Sequence, residues 1–300
     1  MVLRSRHVIA VLVIAAMPCV SSADNDAQKA DAAAKKVLII TIDGCRPDAL
    51  LAARTPHMDK LWQNGAFSFL ARTDPITVSG PSFTSMLTGV WHEKHNVLSN
   101  AYEDPHEEEY PHLFHRIKAQ RPKLILHSVV WWQEIHLILQ PGDADHLEVH
   151  MDDKRVTELS AKSLSDSNPD VLFVHLNDVD AAGHKHGYGP QLKDYLAAIE
   201  AADGMVGTIL EALHARPAYD REDWLVMVTT DHGGLPNKTH GTDTPQERTV
   251  FLFANGPSVT PGELLGQPAV VDVAVTALTH LGIEIDESWD LDGHAIGLRE

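Results

Sequence analysis

Six side chains in this sequence have the types and the settings to hold metal ions: Asp43, Asp180, His184, Asp231, His232 and His240. Asp231-His232 closes the stretch 224–234 (WLVMVTTDHGG), where a short apolar run stops at an acid, an imidazole and two glycines. Asp43-Gly44 closes a similar run at 37–42, and Asp180 and His184 follow a third at 170–176. His240 lies on the loop after His232, with seven residues between them. Ser79 opens the segment SGPSFTSMLTG. There Pro81 suits a first helical position and Gly89 a helix stop, which places Ser79 just before a helix N-terminus, facing unpaired N–H groups and a positive dipole end.

Three carboxylates and three imidazoles suit two zinc ions, each with N and O ligands and a position left open. Three aspartates carry −3 and two divalent ions +4, so the site would be positive by one inside an acidic chain. That local excess could hold a phosphate which the surface repels. Paired metals about 3.5–4 Å apart can clamp the attacking and leaving oxygens of an in-line displacement. One ion would lower the pKa of the Ser79 hydroxyl; the other would stabilise the leaving oxygen and then activate the water that clears a phosphoserine. This is covalent catalysis with metals in place of a general base.

The elements that must position these groups follow from the pattern. Continuous apolar runs stopped by glycine or acid read as strands buried on both faces, and ligands gather beyond the carboxyl ends of such strands. Strands are expected at 37–42, 66–71, 124–130, 170–176, 225–228 and 249–254. Helices are expected from Pro47, from Thr55-Pro56 to Gly65, and over 81–88, 110–119, 153–164, 190–215 and 271–281. Residues 131–153 show no clear period and read as an excursion on the substrate side. Alternating strands and helices argue for an α/β fold, a doubly wound, mostly parallel sheet flanked by helices.

Residues 1–23 read as a signal peptide: Arg4 and Arg6, an apolar centre at 8–16, then Ser21-Ser22-Ala23 as the cleavage site. The apolar run is too short for a stable membrane span. A secreted or periplasmic location follows. Cleavage removes two arginines and no acids, leaving 277 residues and moving the formal charge from −18 to −20. Such a surface argues against nucleic-acid polymers and anionic membranes as partners. Residues 24–36 read as a mobile leader, and 37–300 as one catalytic domain without a large cap insertion. Cys19 leaves with the signal peptide, so Cys45 is a lone, buried thiol.

The segments VLIITIDGCRPDAL, TPHMDKLWQNG, SGPSFTSMLTG, HNVLSN, DAAGHKHG, TTDHGG, THG and LFANGPSV resemble, in this order, the alkaline phosphatase superfamily. Within it they are most similar to the nucleotide pyrophosphatase/phosphodiesterase branch. The resemblance implies that Asp43, Ser79, Asp231 and His232 surround one zinc and that Asp180, His184 and His240 hold the other. It also implies that Asn100 hydrogen-bonds a phosphoryl oxygen. His95 and His186 fall inside matched segments but off the ligand positions, and are read as structural. Three departures bear on substrate: serine stands at 79 where the diesterases usually have threonine, the link from His232 to His240 is short, and SGPS also resembles a sulfatase core. Phe83, in place of the arginine expected there, and Asp-Gly ending the first strand weigh against a sulfatase.

The activity expected is hydrolysis of a small phosphodiester or pyrophosphate through Ser79. Phosphomonoester hydrolysis and phosphoryl transfer to an alcohol are the near alternatives; a sulfatase and a metal- or phosphate-binding protein without turnover are the distant ones. Monoesters carry more charge and call for extra cations, for which Arg46, Arg72 and Lys94 are the candidates by position.

Overall fold

Side chains along a strand alternate between the two faces of its sheet, so a strand covered on both sides has no polar face to show. The computed structural model describes residues 33–299, and its sheet is built on this rule. The strands are β1 (Ala34–Ile42), β2 (Ala66–Arg72), β3 (Leu126–Val130), β4 (His146–Val149), β5 (Val171–Leu176), β6 (Glu222–Thr229), β7 (Thr249–Asn255) and β8 (Gly262–Glu263). They form one sheet in the order β4-β3-β5-β1-β6-β7-β2-β8. Pairing is parallel except for β7, which runs antiparallel to β6 and β2. Val37 and Ile39 enter one core, Leu38, Ile40 and Ile42 the other.

Helices cover both faces. α1 (Pro47–Ala52), α2 (Pro56–Gln63), α6 (Asp153–Asp166), α7 (Asp178–His186) and α8 (Lys193–His214) close the side facing Leu38 and Ile40. α3 (Ser79–Thr88), α5 (Leu113–Gln120) and α10 (Asp272–His280) close the side facing Val37 and Ile39. Two short helices, α4 (His92–His95) and α9 (Pro245–Arg248), lie in connections. Phe83, Phe114, Phe173 and Phe251 are among the largest fully buried side chains, each worth about 1.5–3 kcal/mol relative to exposure. Among the described residues no helix is long and apolar enough to cross a membrane.

The mostly parallel sheet flanked by helices is the architecture expected from the sequence. Several boundaries differ, each for a physical reason. The first strand begins at Ala34, inside the stretch read as leader, because Lys36 is buried and donates to Asp170 Oδ1 at 2.8 Å and to Pro169 O at 2.9 Å. The signal-peptide stretch and the rest of the leader up to residue 32 lie outside the described residues. Ser79 sits in the first turn of α3, whose N-cap is Val78, so Pro81 comes two residues later than a first helical position. Gly89 does end α3, with φ 81°. The second helix ends at Gln63 with Asn64 as its cap, one residue before Gly65. The fifth starts three residues later than expected, where His112 Nδ1 accepts the Phe114 N–H at 3.0 Å. Residues 131–153 hold a short 3₁₀ turn (Gln133–Ile138) and the edge strand β4, whose alternating Leu147 and Val149 are exposed and so bury no face.

Candidate metal centre

The three central strands end level. Ile42 of β1 pairs with Leu176 of β5, and Thr41 of β1 with Thr229 of β6. The next residues of each chain segment therefore emerge side by side: Asp43 from β1, α7 from β5, and Thr230-Asp231-His232 from β6. On α7, Asp180 and His184 stand one turn apart and face the same way. This helix is not among those expected from the sequence.

Two groups of three ligands result, Asp43 with Asp231 and His232, and Asp180 with His184 and His240, each with its donor atoms within 4.8 Å of one another. In the first group, His232 Nε2 lies 3.5 Å from Asp43 Oδ1 and 3.2 Å from Asp231 Oδ2. His232 Nδ1 donates to Gly233 O at 2.8 Å, which leaves a lone pair on Nε2. Asp43 Oδ1 and Asp231 Oδ2 are buried and have no hydrogen-bond partner among the described residues. Three acceptors thus converge on one small volume with no donor among them, and only a cation or shared protons can balance that arrangement. The divalent cation fits: carboxylate oxygens and imidazole nitrogens are the donor set of zinc-like ions.

The second group repeats the pattern at the surface. His184 Nδ1 meets Lys238 O at 3.2 Å and His240 Nδ1 meets Thr77 O at 2.8 Å. Their Nε2 atoms then point at each other, 3.1 Å apart. Asp180 Oδ2 lies 3.2 Å from His184 Nε2, and Asp180 Oδ1 3.8 Å from His240 Nε2. In both groups every imidazole has its Nδ1 held by a backbone carbonyl, the arrangement that orients metal-binding histidines.

The titration behaviour follows from burial and neighbours. Burial first, then the charges of Asp231 and Asp180, raise Asp43 well above the usual carboxylate range. Burial and the Asp180 charge raise Asp231 in the same direction. Burial also works against the charged form of Asp180, but the His184 hydrogen bond and the imidazoles of His232 and His240 outweigh it and hold this carboxyl at about 2. Burial, then His232, lowers His240 to about 4. Two buried carboxylates that resist ionising together are what a divalent ion relieves.

Ser79 Oγ lies 3.4 Å from His232 Nε2. Asn100 Oδ1 accepts the Gly80 N–H at 2.8 Å, which fixes the amide beside Ser79 and leaves its NH₂ to donate. One cavity of about 300 Å³ is lined by Asp43, Ser79, Asn100, Asp180, His184 and His240 together with Trp131, Trp132 and Asn177. All eight residues singled out from the sequence are therefore brought together, six of them on this cavity and Asp231 and His232 beneath it. Among the described residues no lysine or arginine lines it. Arg46 instead bonds Asp48 and Gly234 O, and Lys94 bonds Asp290 and Asp292. Arg72 lines a separate cavity. His95 and His186 take no part: His95 is buried against Ser85, and His186 pairs with Asp194. Cys45 is buried, as expected of a lone thiol.

The profile of the type I phosphodiesterase / nucleotide pyrophosphatase family matches residues 37–142 and 140–252 of this chain. The chain belongs to this family. Human GPI ethanolamine phosphate transferase 2, catalytic subunit, is 24% identical over 268 residues, covering 83% of this chain and 26% of that protein. Human bis(5'-adenosyl)-triphosphatase ENPP4 is 23% identical over 228 residues, covering 66% of this chain and 47% of that protein. The chain thus spans between about a quarter and a half of these curated relatives. Among solved structures, murine ectonucleotide pyrophosphatase/phosphodiesterase 5 in complex with AMP superposes with a TM-score of 0.66 at 15% identity, covering 83% of this chain and 96% of that one. A 2-O GAG sulfatase gives 0.69 at 15% identity, covering 87% and 73%. Family members and sulfatases share this alkaline-phosphatase-like fold.

Four supporting residues escaped the sequence reading. His175 Nε2 lies 3.1 Å from Asp43 Oδ2, and its Nδ1 accepts the Trp132 N–H at 3.4 Å. A histidine inside the apolar run VLFVHL was the available signal. Asp153 accepts the N–H groups of Asn177 at 2.9 Å and Asp178 at 2.7 Å, holding the start of α7. Tyr188 and Trp132 carry no sequence pattern that marks them.

Proposed function

We propose that this chain is an exported, divalent-metal-dependent phosphodiesterase in which Ser79 is the nucleophile. The observation that carries the reading is the meeting of two ligand clusters at the cavity that holds the Ser79 hydroxyl, with Ser79 Oγ 3.4 Å from His232 Nε2. Asp43, Asp231 and His232 would hold one ion beside Ser79, and Asp180, His184 and His240 the other; zinc matches the donors. When bound, such ions lower the pKa of a coordinated hydroxyl or water and neutralise charge on phosphoryl oxygens.

The chain's own residues do the rest. Ser79 Oγ forms a bond to phosphorus as the bond from phosphorus to the departing alkoxide breaks; water then cleaves the Oγ–P bond and restores the serine. Ser79 lies in the first turn of α3, so the positive helix end faces the phosphoryl group. The Asn100 amide, fixed by Gly80, donates to a phosphoryl oxygen. Trp131 and Trp132 form an apolar wall on the substrate side, in the segment that the sequence marked as an excursion.

The lack of lysine and arginine around the cavity favours a diester or pyrophosphate, with one negative charge on the reacting phosphorus, over a monoester with two. Bis(4-nitrophenyl) phosphate should therefore be turned over with a higher kcat/KM than 4-nitrophenyl phosphate. Ser79→Ala should abolish turnover yet keep its metal; undiminished turnover by this variant defeats the covalent route. A single-step preference for the monoester or for 4-nitrophenyl sulfate defeats the diester assignment.

A second reading has one specific support: the relative covering 83% of the chain is named a phosphoethanolamine transferase. Transfer of the phosphoryl group from Ser79 to an alcohol in place of water is that reading, and product partitioning in the presence of glycerol or ethanolamine tests it. Export rests on residues 1–23, and recovery of the chain from the cytoplasmic fraction with those residues intact would contradict it.

A further inference from the structure

We propose that Tyr188 is a positioning residue for the Asp180/His184/His240 cluster, fixing which oxygen of Asp180 is offered to a metal; this rests on the reading that the cluster holds a divalent ion. Tyr188 is fully buried, two residues beyond the end of α7, where Gly187 at φ 96° turns the chain back. Its hydroxyl donates to Asp180 Oδ1 at 2.6 Å. The ring meets His184 edge-on, with centroids 5.7 Å apart at 80°, and His240 likewise at 6.1 Å and 81°. One side chain thus touches all three members of the cluster. Its hydroxyl contacts are both on Asp180 and none is on Asp43, Asp231 or His232.

The fit of the ring is close on both sides. A Cβ on Gly183, the residue before His184, would lie 2.1 Å from Tyr188 Cε1; one on Gly234, two residues past His232, would lie 2.5 Å from Cγ. Two glycines therefore make a slot that sets the ring's depth and aims its hydroxyl. A carboxylate flanked only by imidazoles can present either oxygen. With Oδ1 held by the phenol, Oδ2 is the oxygen turned to His184 Nε2. A phenol also does this without charge. A lysine in its place would satisfy Asp180 as an ion pair and compete with the metal for the carboxylate.

Titration of the metal-free chain with zinc against a chromophoric chelator tests the role, and needs no turnover. His232→Ala leaves the second cluster as the intact one, and His240→Ala leaves the first. Adding Tyr188→Phe, which fills the same slot, should weaken zinc binding by about 10- to 100-fold in the His232→Ala background. In the His240→Ala background it should change binding by less than about threefold. Gly183→Ala, which displaces the ring while keeping its hydroxyl, should reproduce the selective loss. Thermal unfolding of the metal-free variants checks that each is folded. Equal effects in both backgrounds, or none in either, overturn the positioning role while the metal reading stands. A wild-type chain that takes up no zinc overturns the metal reading, and this inference with it.

Discussion

Lowering the pH from 7 to 4 should destabilise this protein through His95, a residue outside the candidate metal centre. His95 is 1% exposed, at the end of α4. Its Nδ1 accepts the Val97 N–H at 3.1 Å, and its Nε2 lies 2.9 Å from Ser85 Oγ, which in turn donates to Asp74 Oδ2 at 3.0 Å. A second ring proton would have to sit where the Val97 N–H already points. Burial lowers the His95 pKa from 6.5 to about 4, against the attraction of Asp74. The folded value is the depressed one, so the stabilisation is fully present above pH 6.5 and is lost as the pH falls towards 4. A shift of this size corresponds to about 3 kcal/mol between the two pH values, a large share of a typical stability of about 5–15 kcal/mol. Ser85 lies in α3, which begins at Ser79, and His95 lies in the segment leading to Asn100, so this link also holds two site residues in register. Urea unfolding followed by tryptophan fluorescence, in chelator so that metal binding does not contribute, should show the loss in wild type and a loss smaller by about 3 kcal/mol in His95→Gln. Identical pH slopes for the two proteins would refute the reasoning.

Three further outcomes follow from the site. Asn100→Asp keeps an oxygen for the Gly80 N–H but replaces the NH₂ donor with negative charge; kcat/KM should fall by about 10²- to 10³-fold with metal content unchanged, and a loss below threefold would remove Asn100 from the reaction. Chelation should lower the unfolding midpoint, because it leaves Asp43 Oδ1 and Asp231 Oδ2 buried without partners. In chelator at pH 8, Asp231→Asn should then be more stable than wild type, since an amide there can donate to Asp43 Oδ1; calorimetry showing no gain would count against that pair of unpartnered oxygens.

The central strands were readable from sequence because they are buried on both faces, so that 37–42, 170–176 and 225–228 stand out as mainly apolar runs. The residues just past their ends were readable for the same reason, since Asp43 and Asp231-His232 interrupt those runs abruptly. Where one face is solvated or the chain is short, the signal fades. The edge strand His146–Val149 alternates histidine and glutamate with exposed Leu147 and Val149, and carries no core pattern. α7 lies outside the helices expected from the sequence because its buried stripe is only Val179, Asp180 and Gly183. Lys36 hid the true start of β1, because a buried lysine is rare unless paired and its partners Asp170 and Glu222 lie more than a hundred residues away. Tyr188 and Asp153 act through contacts that only the fold creates.

The level ends of β1, β5 and β6 separate two kinds of change that this protein could undergo. Deleting a single residue within β1 would turn Asp43 to the opposite side of the sheet, because side-chain direction reverses at every step. Altering residues 131–152 would reshape the tryptophan wall and leave the ligand-bearing edges where they are. On the proposed function, the reacting groups would sit on the rigid interior and the substrate wall on a peripheral segment, so a change of substrate would not require rebuilding the reaction centre.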